Sequence, residues 1–187
     1  IKDYDKESNL FLLDFPNNEV KSGFLAMVAT NYLQCTTPLE SWMVKAVFAL
    51  KRGQLDEFRK MLTSFLASIP YTMRRKESEP ERERYFHYTF YLLLRLMSVY
   101  TVLAEKEQSE GRVDCIVETP QYVYIFEFKL DGTAAEALQQ IEAKGYARPY
   151  EADNRVIVKV GVNFSSKTGT IEEWEIQKQT NSQPFLD

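Results

Sequence analysis

With 187 residues, 44 % of them hydrophobic and 27 % charged, the chain can bury the core of one ordinary domain, or of one domain with a small attachment. A net charge of −4 excludes a globally basic nucleic-acid binder, so any such surface must be a local basic patch, and divalent cations would have to offset acidic residues at a site. No apolar run is long enough to span a bilayer, and Cys35 and Cys115 lack the spacing of a thiolate metal site.

The opening IKDYDKESN is polar and charged, with no initiator Met and no signal-peptide pattern. The expectation is a cytoplasmic domain excised from a longer protein, its first residues a loop entering a strand. Residues 9–15 (NLFLLDF) read as that strand, stopped by Pro16. A helix follows from Asn17 or Asn18, with Val20, Phe24, Met27, Val28 and Leu33 near helical spacing. Two more helices are predicted over 38–51 and 55–68, broken by Arg52-Gly53, with Trp42, Met43, Phe48, Phe58 and Phe65 fitting core packing.

Residues 73–84 are dense in charge and form the natural internal boundary. Their Arg74-Arg75-Lys76 run is the best basic patch, although such runs are usually solvated faces. A strongly apolar helix is predicted over 83–99, carrying Phe86, Phe90, Leu93, Leu94 and Met97. After it the period changes to strands at 99–105, 112–118 and 122–130, the last two forming a hairpin around Thr119-Pro120. A helix over 133–146, an apolar strand over 155–164 and an alternating edge strand over 171–177 complete the chain before a polar tail. The boundaries are therefore 1–79 for an N-terminal strand and helical subdomain, 80–178 for an α/β core, and 179–187 for the tail.

The hairpin carries the chemistry. Side chains alternate along a strand, so Glu127 and Lys129 share one face and Phe126 and Phe128 the other. A loop over Thr119 to Tyr122 would pair Glu118 with Val123, which sets Asp114 opposite Glu127; shorter loops move the pairing but keep Asp114 on that face. Their neighbours on that face, Ile116, Val123 and Ile125, are apolar, so the charges need an offset. A divalent cation on hard carboxylate oxygens supplies one, suiting Mg²⁺ or Mn²⁺; a plain cross-strand ion pair to Lys129 is the alternative.

Val113-Asp114, a hairpin, then Glu127-Phe128-Lys129 resembles the core motif of the PD-(D/E)XK nuclease superfamily. The stretch GRVDCIVETPQYVYIFEFKLDGTAAEALQQIEAKGYARPY (111–150) resembles the nuclease domain at the C-terminus of bacterial AAA-type ATPase-like proteins of Bacteroidetes and related anaerobes. YDKESNLFLLDFPNNEVKSGF (4–24) resembles the segment preceding that domain, and VNFSSKTGTIEEWEI (162–176) its closing strands. Val113 stands where the superfamily name has Pro, and no P-loop occurs in the chain.

The resemblance implies an α/β restriction-endonuclease-like core, a mixed sheet flanked by helices, with an N-terminal helical extension. It implies a Mg²⁺- or Mn²⁺-dependent nuclease acting on DNA, with Asp114 and Glu127 on the metal and Lys129 assisting the attack. Glu83, in the ERYFH segment, is implied as a further metal ligand, with a solvated first-turn Glu as the alternative. His87 lies one turn on and reads as catalytic or as a half-buried structural His. Gln140, on the helix after the motif, is implied to hydrogen-bond a nucleotide or the Lys129 ammonium, against an exposed amide. Lys144, Arg112 and, more weakly, Tyr146 are implied substrate contacts, and Glu105 a supporting group. An ATPase domain in the full-length protein is the implied partner. The competing readings are a nuclease fold kept as a binding module without chemistry, and a dimerising domain built on the aromatic helix.

Overall fold

In the computed structural model of the chain, residues 2–33, 39–69, 86, 88–90, 92–93, 101–108 and 111–179 are described. The N-terminal strand is one arm of a small antiparallel hairpin, β1 (Asp3–Asp5) with β2 (Leu10–Leu12), where the sequence suggested a loop entering a single longer strand. The polar Asp5–Asn9 turn closes it: Ser8 Oγ donates to Asp5 at 2.6 Å, Asn9 takes a left-handed φ of 55°, and Tyr4 stacks on Phe11.

Asn17 accepts the Val20 N–H at 2.9 Å and starts α1 (Asn18–Leu33). Its apolar residues do not all face inward: Val20, Phe24 and Met27 are exposed, while Ala29 is buried. Helices α2 (Leu39–Lys51) and α3 (Leu55–Ser68) pair with each other. In α3 the buried residues Leu55, Phe58, Leu62, Phe65 and Leu66 recur at helical spacing and form one stripe. On α2 the buried face is Trp42, Ala46, Ala49 and Leu50. Phe48, expected in the core, points away from it and lies under the Arg52 guanidinium at 5.4 Å.

Strands β3 (Thr101–Gln108), β4 (Gly111–Glu118), β5 (Tyr122–Leu130), β6 (Val156–Phe164) and β7 (Ile171–Gln179) form one sheet in chain order. All neighbours are antiparallel except β5 and β6, which run parallel because α4 (Ala134–Ala143) crosses between them. Cys115, Val117, Tyr124, Phe126, Phe128, Val160 and Trp174 share one core with α2, α3 and the helical residues Phe86, Phe90 and Leu93. Phe90 meets Phe128 edge-on at 4.6 Å, Phe86 stacks on Phe164 at 4.9 Å, and the Tyr124 hydroxyl donates to the Leu50 carbonyl at 2.5 Å. The N-terminal helices thus cover one face of the sheet. The boundary expected near residue 79 lies outside the described residues.

On the opposite face Ile116, Val123, Ile125 and Ile157 pack against Ile141, Tyr146 and Tyr150. Helix α4 reaches this face closely because its inward residues include Ala134 and Ala137 and because β6 carries Gly161. A Cβ at Gly161 would stand 2.2 Å from the Ala134 carbonyl oxygen, closer than any real contact. Thr133 and Glu136 form a reciprocal capping box at the start of α4. Gly145, with a φ of 59°, ends it earlier than the apolar pattern suggested. No helix among the described residues is long and apolar enough to cross a membrane.

Candidate active site

The Thr119 turn sets the register of the hairpin. Thr119 N–H donates to the Tyr122 carbonyl at 2.8 Å, and Thr119 Oγ1 accepts the Tyr122 N–H at 2.9 Å. Glu118 therefore pairs with Val123, and the ladder continues to Cys115 opposite Phe126. One step further Asp114 Oδ2 accepts the Phe128 backbone N–H at 2.9 Å.

Glu127 is 2 % exposed, set in the α4 face of an otherwise apolar strand. One carboxylate oxygen, Oε1, accepts from the Gln140 amide. Gln140 Oε1 in turn accepts from the Lys129 ammonium at 2.5 Å, while Lys129 Nζ lies 3.9 Å from Glu127 Oε1. Gln140 is thus a bridge between the acid and the base. Its hydrogen bond to Lys129 is one of the two arrangements expected for it, beside a nucleotide contact; the bond to Glu127 is in neither. The other oxygen, Glu127 Oε2, is buried with no hydrogen-bond partner among the described residues.

Burial, reinforced by the neighbouring Asp114 carboxylate, pushes the Glu127 carboxyl up to about 8, against the opposing pull of Lys129. The Lys129 side chain is 29 % exposed, so solvent reaches the base and not the acid. A site of this kind can accept a cation between its carboxylates and present an ammonium to an anionic ligand. Glu127, whose Oε2 has no hydrogen-bond partner among the described residues, and Asp114, near enough to raise its pKa, offer the hard oxygens that a divalent ion takes. Among the described residues no third His, Cys, Asp or Glu joins these two.

Of the other anticipated residues, Glu83, His87 and the Arg74–Lys76 run lie outside the described residues. So does the Arg112 side chain, although its backbone lies on β4, two residues before Asp114. Glu105 lies within β3 rather than at its end, flanked by the pairs Ala104 with Cys115 and Lys106 with Val113; its side chain is likewise not described. Lys144 is exposed at the C-cap of α4, one turn beyond Gln140. Tyr146 is 1 % exposed. A face count along one continuous helix sets it aside from Gln140, but the left-handed Gly145 folds the chain back and brings the Tyr146 hydroxyl to the Gln140 amide. Burial raises its pKa, and Gln140 opposes that shift. Burial likewise holds Cys115 far up as a neutral thiol.

Sequence reasoning passed over the supports on β6 and β7. Buried Asn163 stands beside Lys129 in the parallel register, and its Oδ1 accepts the Gly132 N–H at 2.9 Å. Glu173 accepts the Ala134 N–H at 2.8 Å, holding the first turn of α4. Asn163 interrupting the apolar run VIVKVGVNF was the available signal.

A family model described as the PD-(D/E)XK nuclease superfamily matches residues 81–174. The chain belongs to this superfamily. Its five-stranded mixed sheet between helical layers is the restriction-endonuclease-like α/β fold. The chain is also 30 % identical over 163 residues to an uncharacterized protein in the vnfD 5′ region of Azotobacter chroococcum mcd 1. That match takes in 86 % of this chain and 31 % of the relative, so the chain spans about a third of the curated relative's length. Membership of the superfamily points to a nuclease, a hydrolase of phosphodiester bonds.

Proposed function

We propose that this domain is a Mg²⁺- or Mn²⁺-dependent endonuclease acting on DNA inside the cell. The observation that carries the reading is the buried Glu127 carboxylate, one oxygen without a partner among the described residues, on the same face as Asp114 and Lys129. Asp114 and Glu127 would hold the ion, with Glu83 as a third ligand. When bound, it supplies Lewis-acid polarisation of the phosphate and neutralises its charge. Lys129 orients the attacking water and stabilises the negative charge that grows on the phosphate oxygens. Gln140 fixes the Lys129 ammonium relative to Glu127. Lys144, Arg112 and Tyr146 serve the substrate side. An ATPase region elsewhere in the full-length protein, and a homodimer, belong to the same reading.

Cleavage of plasmid, linear, single-stranded and branched DNA with Mg²⁺ or Mn²⁺ tests it. Asp114→Asn, Glu127→Gln and Lys129→Ala should each abolish metal-dependent cutting; cutting that survives in all three overturns the proposal. A second reading, a nuclease fold retained for binding without chemistry, is favoured by the Glu127–Gln140–Lys129 chain, in which a protein amide already holds the lysine ammonium. Calorimetric titration separates the two, since Mn²⁺ binding that requires Asp114 and Glu127 counts against the inactive module.

A further inference from the structure

The net negative charge requires any nucleic-acid surface to be local, and the α2–α3 pair carries such a surface. Ser41 and Lys45 lie one turn apart on α2, and Lys60 and Ser64 one turn apart on α3. Together they line a hollow of about 390 Å³ between the two helices. A second hollow of about 610 Å³ shares Lys60 and Ser64 and adds Arg59 and Thr63, one turn apart on the same helix. The polar residues stand over an apolar floor of Trp42, Met61 and Phe65. Asp56 lines the second hollow as its acidic member, and among the described residues no carboxylate lines the first.

Among the described residues Lys45, Arg59 and Lys60 make no ion pair, although α3 also carries Asp56 and Glu57. Three cations outside any ion pair among the described residues, interleaved with three hydroxyls at one-turn spacing, match the donor chemistry of a run of phosphates. An acidic peptide would meet the same cations, but superfamily membership makes nucleic acid the ligand on hand. The helices cover the sheet face opposite α4, so this surface is separate from the carboxylate site.

The geometry points to a second, non-catalytic contact in which the α2–α3 groove grips the sugar–phosphate backbone of nucleic acid, without reading its bases. The choice of nucleic acid over another polyanion rests on the nuclease reading. The test uses the full chain, in chelator, with labelled duplex DNA of mixed sequence and anisotropy measured across a salt series. The triple variant Lys45→Ala/Arg59→Ala/Lys60→Ala should flatten the slope of log K against log salt by roughly one for each cation that contacts a phosphate. Lys45→Arg/Lys60→Arg, which keeps the charge, should bind like the wild type. Wild-type binding by the triple variant, with an unchanged melting curve, overturns the groove. So does displacement of the DNA by polyglutamate at a charge concentration equal to that of the DNA, which assigns the surface to acidic protein. Failure of the nuclease reading looks different: groove-dependent binding persists while no DNA is cut with either metal.

Discussion

Asp114 Oδ2 accepts the Phe128 N–H at 2.9 Å, one step past the last paired residues of the hairpin, Cys115 and Phe126. The carboxylate therefore has a structural duty beside any catalytic one. Asn keeps an acceptor oxygen in the same place, and Ala keeps none. Asp114→Asn should lose cleavage with little change in melting temperature, whereas Asp114→Ala should lose cleavage and also about 1.5–3 kcal/mol of stability, the usual worth of a hydrogen bond to a charged group. Comparing the two by thermal denaturation and DNA cleavage separates these duties.

Glu127 gives the metal-free protein a characteristic pH response. Its carboxyl is raised from the ordinary 4.5 to about 8, chiefly by burial and then by Asp114. Between those limits the unfolded chain has released a proton that the native protein keeps, so raising the pH favours unfolding, and the effect levels off above about 8. Glu127→Gln should remove this component, so its advantage in melting temperature over wild type should grow across that window. Melts in chelator from about pH 5 to about pH 9 check it; parallel curves for the two proteins contradict it.

Gln140 bridges Lys129 and Glu127, so truncating it removes the side chain that links the two charges, which lie 3.9 Å apart. Gln140→Ala should lower metal-dependent cleavage by roughly 10–100-fold, the usual cost of losing a group that orients a metal ligand. Single-turnover cleavage with metal titrated to saturation measures it. A variant as fast as wild type removes Gln140 from the machinery.

Gly161 permits the close seating of α4, with a Cβ there placed 2.2 Å from the Ala134 carbonyl. Gly161→Ala should destabilise by about 1–3 kcal/mol as α4 shifts outward. Because Gln140 rides on that helix, the variant should also show part of the Gln140→Ala defect, although residue 161 touches neither charge. Denaturant unfolding and cleavage by the same preparation test both halves.

Tyr124 ties the sheet to α2 through its bond to the Leu50 carbonyl. Tyr124→Phe should cost about 0.5–1.5 kcal/mol, in one transition that helix-sensitive and aromatic probes report at the same temperature. Separate transitions would restore an independent N-terminal unit.

The hairpin was legible in the sequence because strand alternation has a strict period of two, so shorter loops would move the pairing and still keep Asp114 on the face of Glu127 and Lys129. The Thr119–Tyr122 loop sets Glu118 against Val123, as found, while the pairing it implies for Asp114 and Glu127 lies one step past the last pair of the ladder, Cys115 and Phe126. Helices α2 and α3 and the strands follow from apolar spacing with errors of a few residues at their ends. What periodicity could not supply is anything decided by contact between distant segments. Phe48 suits a core by composition, yet it points outward because Ala46, Ala49 and Leu50 already define the buried face of α2. Tyr146 turns inward through a left-handed glycine, which a continuous helical wheel does not contain. Asn163 and Glu173 matter through backbone donors more than thirty residues away, and no local pattern records such pairings.

The parallel pairing of β5 with β6 bears on how the protein is made. Asp114, Glu127, Lys129 and Gln140 have all been synthesised once α4 is complete, but the strand on which α4 seats, with Gly161 and Asn163, comes later. A nascent chain ending after α4 holds every charged group of the site without the surface that aligns them. Glu173, which anchors the first turn of α4, comes later still. The geometry of the site is therefore completed only once β6 and β7 have emerged, and products that stop before them carry the motif without its arrangement.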